Sequence, residues 1–139
     1  SLFGASAGIG GLVGKGSRDE INALYSYGRG VGVAFQIRDD ILDLTGKSNS
    51  TRAERANLVL AHYLGATARQ DRVSDLLNHR ADGNRDEELD ALRRKAVDFA
   101  TRTSRERIQN AKSEIAVLRE GEGKAALSAL ADFALEREL

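Results

Sequence analysis

Apolar and polar positions divide this chain into helical blocks separated by short glycine-, serine- and aspartate-bearing breaks. Residues 1–14, SLFGASAGIGGLVG, are small and apolar throughout and carry no charge. Gly16-Ser17 interrupts the run, and Ser17 followed by Glu20 has the spacing of a capping box. It predicts a helix over about 18–44, led by Ile21, Leu24, Tyr25 and Tyr27 and continued by Val31, Val33, Ala34, Phe35, Ile37, Ile41 and Leu42. Thr45–Ser50 reads as a loop. Thr51-x-x-Glu54 opens a helix that runs through Leu58, Leu60, Ala61 and Leu64 to Gly65, and Thr67-x-x-Gln70 opens another that ends near His79. After a turn at Asp82-Gly83-Asn84, a long amphipathic helix is expected from about 86 to 119, closed by Gly121-Glu122-Gly123. The last helix, Lys124 to Leu139, carries Leu127, Leu130, Phe133 and Leu135. With no internal repeat and no low-complexity linker, the pattern describes one helical domain over 1–139 without an internal boundary.

Two glycine-bearing stretches invite a phosphate-cradling reading. In residues 1–14 the GxGxxG pattern fails, because a third glycine after Gly8 and Gly10 would have to replace Val13. Neither lysine candidate makes a P-loop: Ile9 stands where Gly14-Lys15 needs its first glycine, and Ile41 where Gly46-Lys47-Ser48 needs it. Residues 1–14 are therefore expected to be a closely packed helix, whose small residues let backbones approach. Gly28, Gly30 and Gly32 lie inside the next helix, where each glycine costs about 1 kcal/mol relative to alanine. Something approaches that backbone closely, and the pattern leaves both another helix and a substrate open.

Composition sharpens the fold class. The 139 residues contain no proline, methionine, tryptophan or cysteine. Lacking proline over this length while rich in Ala, Leu, Glu and Arg, the chain reads as all-α. Lys plus Arg equals Asp plus Glu at 21 each, so no net field favours nucleic acid or a membrane surface. The charges of the long helix, including Arg93-Arg94-Lys95, alternate with acids as on a solvated face. Without cysteine there is no disulfide framework and no thiolate chemistry, which is compatible with an intracellular, cytoplasmic location. No stretch of about 18 apolar residues exists to span a bilayer, so stable membrane insertion is not expected. His62 and His79, the two histidines, lack carboxylates at ligand spacing and are not read as a metal or catalytic pair.

The candidate chemistry lies in Phe35-Gln36-Ile37-Arg38-Asp39-Asp40-Ile41-Leu42-Asp43. Gln36, Asp39, Asp40 and Asp43 fall at i, i+3, i+4 and i+7, one stripe of a helix that is otherwise almost wholly apolar. A helix apolar on most sides is buried, so the stripe is expected to line a polar cavity rather than form a solvated acidic surface. Unpaired carboxylates there would be costly, and hard divalent ions such as Mg²⁺ take oxygen ligands from one or two carboxylates plus substrate phosphates.

This motif resembles the second aspartate-rich motif, FQxxDDxxD, of the trans-isoprenyl diphosphate synthases. SLFGASAGIGGLVG is similar to the helix that follows the Lys-Thr pair in that family, and Leu130-Ala131-Asp132-Phe133-Ala134-Leu135-Glu136-Arg137 to the family's terminal helix. The resemblance covers nearly the whole chain but only the C-terminal half of such an enzyme. It implies an all-α bundle of the isoprenoid synthase type around a central cavity, and a Mg²⁺-dependent prenyltransferase that condenses isopentenyl diphosphate with an allylic diphosphate. By resemblance Asp39 and Asp43 are metal ligands supported by Asp40, all three belonging to the catalytic set. Phe35 and Gln36 contact the substrate region, and Lys47 and Arg55 serve the diphosphate. The family's DLxxGKxTL stretch is altered: Ser50 replaces an acidic residue, Arg55 a lysine and Asn57 a threonine. By the same resemblance the first aspartate motif would lie upstream, and the complete protein is expected to be a homodimer.

Two other readings compete. A non-catalytic helical subunit or interaction module that retains the fold would account for Ser50, Arg55 and Asn57. A class I terpene cyclase fits less well, because such enzymes usually carry an Asn/Ser/Glu triad in place of DDxxD here. Ser1-Leu2-Phe3 opens the sequence inside an element, as in a fragment or processed chain, and the run lacks the basic n-region of a signal peptide.

Overall fold

The computed structural model describes residues 1–45 and 83–136. Among them are four α-helices, α1 (Leu2–Val13), α2 (Arg18–Leu44), α3 (Gly83–Glu114) and α4 (Glu122–Glu136), with a 3₁₀ turn at Ile115–Val117. The helices expected at 51–65 and 67–79, and both histidines, lie outside the described residues. The all-α class is as the composition implied.

Local chemistry sets the helix ends. Ser1 caps α1, its Oγ accepting from the Gly4 amide at 3.4 Å. At the other end the Gly16 amide donates to Gly11 O at 2.9 Å and the Lys15 amide to Leu12 O at 3.0 Å. These paired bonds make a Schellman turn, with Lys15 left-handed at φ 55° where glycine is usual. The capping box of α2 forms as expected. The Ser17 amide donates to Glu20 Oε2 at 2.7 Å and the Glu20 amide to Ser17 Oγ at 3.3 Å. Those bonds favour the ionised carboxylate, holding Glu20 below the usual carboxylate range.

The long helix stops sooner than its periodicity predicts. After Glu114 the backbone tightens to the 3₁₀ turn, and Leu118 is extended at φ −71°, ψ 144°. Lys124, expected to begin the last helix, instead sits in its first turn and reaches back. Its Nζ donates to Ala116 O at 3.2 Å, Leu118 O at 3.1 Å and Glu120 Oε1 at 2.6 Å. A cation on these terminal carbonyls supplies the hydrogen bonds that continued helix would have made.

The chain divides into two compact units, Ser1–Arg38 with Thr103–Leu139, and Asp39–Arg102. In the first, Tyr27, Val31 and Ala34 of α2 form a core with Ile108 and Ala111 of α3, Ile115, and Ala131 and Ala134 of α4. Small residues make the α4 contact, while Leu130 and Phe133 are turned outward, so two of the four large residues expected to anchor α4 do not. Leu127 and Leu135 pack at the edge of the core. Tyr27 Oη donates to Leu127 O at 2.6 Å, tying α2 to α4. Burial, and then the Asp132 carboxylate, push the Tyr27 phenol up to about 12. Lys112 meets both Asp132 oxygens at 2.9 and 2.8 Å. In the second unit Ile41, Ala96 and Ala100 are buried.

Candidate functional site

The glycines of α2 answer the question the sequence left open. A Cβ on Gly28 would come within 2.8 Å of the Phe3 carbonyl carbon and 2.9 Å of Gly4 Cα. One on Gly32 would meet Phe3 Cβ and Ser1 Oγ, each at 3.1 Å, and one on Gly30 would meet Ala111 Cβ at 2.9 Å. Gly28 and Gly32 therefore seat α1, and Gly30 seats α3. From the other side of the α1 seam, a Cβ on Gly11 would meet Leu24 Cδ1 at 2.8 Å. Helix packing accounts for all three α2 glycines. Residues 1–14 are a packed helix, as expected.

This seam positions the start of the motif. Phe35, half-buried on α2, meets the ring of Phe3 on α1 with centroids 5.6 Å apart and planes tilted by 38°, an arrangement favoured by the ring quadrupoles. One residue earlier, the Ala34 carbonyl accepts from the buried Ser104 hydroxyl of α3 at 3.5 Å. The backbone bearing Phe35 is thus held by α1 on one side and α3 on another. Phe3 and Ser104 were not singled out in the sequence. Neither has a local signal, since each matters only through a residue more than 30 positions away.

Along α2, Gln36 is exposed, and Asp39 and Asp40 are half-buried. The uninterrupted helix keeps these three at the predicted i, i+3, i+4 spacing. Asp43 lies within the bounds of α2, but its side chain, like Lys47, Arg55 and the departures at Ser50 and Asn57, lies outside the described residues. The helix ends at Thr45, whose amide and Oγ1 both donate to Ile41 O at 3.0 Å while Oγ1 also reaches Leu42 O at 3.2 Å. Among the described residues no group of three metal-ligating side chains forms. Two adjacent carboxylates one turn beyond Gln36 are nevertheless a hard-oxygen donor set, fitting a divalent ion that takes its other ligands from phosphates and water. Away from them, a groove of about 410 Å³ between α2 and α3 is lined by Ser26, Arg29, Gly30, Arg107, Asn110 and Glu114, among others. No described helix is long and apolar enough to cross a membrane.

With this geometry in place, the chain can be set beside known proteins. A short chain isoprenyl diphosphate synthase from Methanothermobacter thermautotrophicus is 34% identical over 99% of this chain and 46% of its own length. The solved structure of geranylgeranyl pyrophosphate synthetase from Pyrococcus horikoshii is 31% identical and superposes with a TM-score of 0.76, over 99% of this chain and 45% of that one. A polyprenyl synthase structure from Roseobacter denitrificans matches at 29% identity and TM-score 0.76, again over 99% of this chain and 48% of the other. The chain spans about half the length of the relatives it matches, and the shared fold is the all-α isoprenoid synthase fold. The polyprenyl synthetase family model matches residues 1–92, so the acidic motif of α2 falls within the match and the chain belongs to the polyprenyl synthetase family.

Proposed function

We propose that the complete protein is a Mg²⁺-dependent trans-prenyltransferase, joining isopentenyl diphosphate to an allylic diphosphate to give a longer polyprenyl diphosphate. The observation that carries this is the half-buried pair Asp39 and Asp40, one turn after Gln36, on a fold shared with polyprenyl synthases. In the reaction the allylic carbon–oxygen bond breaks and diphosphate leaves. The double bond of isopentenyl diphosphate forms the new carbon–carbon bond, and a proton is lost. The protein's task is positioning and charge stabilisation rather than nucleophilic attack.

Asp39 and Asp43, with Asp40 beside them, would hold the metal. Bound there, Mg²⁺ would supply neutralising charge for the diphosphate group. Gln36, one turn earlier on the same stripe, offers an amide to the substrate region, and Phe35, braced against Phe3, gives that region an apolar wall. Lys47 and Arg55 are assigned to the diphosphate as cations. Arg55 retains the charge of the lysine usual in the family, with a planar fork in place of a point charge. A cytoplasmic homodimer is the expected setting of the whole enzyme, and the unmatched half of the fold is expected to supply the first aspartate motif.

The test is Asp39→Ala in the complete protein. Prenyl transfer at saturating Mg²⁺ is expected to fall at least about a hundredfold, the scale of losing one transition-state charge stabiliser. Wild-type turnover in that variant would remove the assignment. Absence of transfer in the parent protein would favour the non-catalytic module instead.

A further inference from the structure

The groove between α2 and α3 collects donors. Ser26 and Arg29 line it from α2, and Arg107, Asn110 and Ser113 from α3. Two arginines against one carboxylate, Glu114, leave its described lining with one net positive charge. Among the described residues neither Arg29 nor Arg107 makes an ion pair or a side-chain hydrogen bond, whereas Lys112 and Lys124 are both paired. Glycines hold the two arginines where they are. A Cβ on Gly4 would come 2.8 Å from Arg29 Cγ, so the Arg29 stem lies against the backbone of α1, where a larger residue would displace it. A Cβ on Gly30 would come 2.9 Å from Ala111 Cβ and 3.4 Å from Arg107 O, so α2 and α3 approach closely at the groove itself. The separation of the two walls is thereby set by backbone contact.

We infer that this groove binds the phosphate or diphosphate group of a small phosphorylated molecule. A guanidinium presents its donors as a planar fork that matches phosphate oxygens two at a time, and here two such forks line one groove. The Asn110 amide and the serine hydroxyls add neutral donors. At about 410 Å³ the groove falls within the range of roughly 300–1,000 Å³ usual for small-molecule sites. That leaves room for an organic substituent on the phosphate, for which Val33 supplies apolar surface. Glu114, one turn beyond Asn110, repels an anion from its own end and so favours the Arg29–Arg107 side. A helix seated in the groove instead would bury both guanidiniums and would have to bring carboxylates to pair them. Arg29 lies seven residues before Gln36, about 10 Å along α2, so this groove is separate from the acidic stripe. The inference therefore does not rest on the proposed reaction.

The test uses the complete protein with a chelator present, so that no metal-held diphosphate contributes. Arginines are modified with phenylglyoxal and the modified positions read by peptide mass, with Arg105, exposed on α3 outside the groove, as the reference. The probes are inorganic phosphate, inorganic diphosphate and geranyl diphosphate, each up to millimolar concentration. Modification of Arg29 and Arg107 is expected to slow together, roughly tenfold when a probe is about ten times its Kd, while Arg105 is unchanged. Equal protection by an inorganic anion and by geranyl diphosphate assigns the site to the free anion; stronger protection by geranyl diphosphate assigns it to the ester. Arg107→Ala is expected to raise the probe concentration that protects Arg29 at least about tenfold, the scale of losing one charge-assisted contact, and Arg105→Ala to leave it unchanged. Arg107→Lys, which keeps the charge without the fork, is expected to fall between them. Both substituted arginines are exposed, and circular dichroism checks that the variants keep the fold. Protection by none of the probes, protection of only one of the two arginines, or protection that Arg107→Ala leaves unmoved overturns the inference. Slow modification of both arginines without any probe overturns it in favour of a seated helix.

Discussion

Gly28→Ala isolates the contact that places α1, and with it Phe35. The added methyl would lie 2.8 Å from the Phe3 carbonyl carbon, 2.9 Å from Gly4 Cα, and closer still to the Phe3 carbonyl oxygen. Every one of these atoms is backbone, so no side chain can swing aside, and α1 must retreat by roughly 0.5–1 Å to restore ordinary contact. Overpacking of this kind costs about 1–3 kcal/mol, whereas alanine gains about 1 kcal/mol over glycine as a helix former. The net expectation is a loss of about 1–2 kcal/mol. With a urea m-value of about 2 kcal/mol/M, the unfolding midpoint falls by roughly 0.5–1 M. Gly10→Ala is the control with the opposite sign, because a Cβ there meets nothing within 4 Å. It keeps the propensity gain and is expected to raise stability by about 0.5–1 kcal/mol. The assay is urea unfolding followed by circular dichroism, for both variants and the parent. A Gly28→Ala protein as stable as Gly10→Ala would refute the close α1–α2 seam and, with it, the bracing of Phe35 by Phe3.

Tyr27→Phe removes the 2.6 Å hydrogen bond to Leu127 O and is expected to cost about 1 kcal/mol at neutral pH by the same assay. It also tests the raised phenol. Below about pH 10 the tyrosine is protonated in both folded and unfolded chains, so its contribution is intact. Between that value and the folded pKa of about 12 the unfolded chain ionises first, and stability falls. That decline is expected to be smaller in Tyr27→Phe, and an unchanged alkaline profile would contradict the burial of the hydroxyl. Lys15→Gly relieves a left-handed residue and is expected to raise stability by about 0.5–1 kcal/mol; a loss would argue against the Schellman turn. Lys112→Ala is expected to cost no more than about 1 kcal/mol despite its two short contacts, because both partners of that ion pair are partly exposed.

The sequence by itself determined where α2 begins and which of its residues share a face, whereas α3 and α4 begin two to three residues before the positions their breaks suggested. A capping box is chemistry between residues three apart, so Ser17 and Glu20 mark the start of α2 whatever surrounds them. The acidic stripe is equally local, because helical pitch alone puts Gln36, Asp39 and Asp40 on one side. What periodicity does not contain is the identity of the neighbour. Gly28, Gly30 and Gly32 announce close approach, but only packing shows that two admit α1 and one admits α3. On α4 the large residues suggested the buried face, yet Ala131 and Ala134 occupy it because the helices meet closely around Tyr27. The bracing of Phe35 by Phe3 and the outward turn of Leu130 and Phe133 were decided in the same way. Each depends on residues distant in sequence meeting in space, and on the rule that backbones draw together where side chains are smallest.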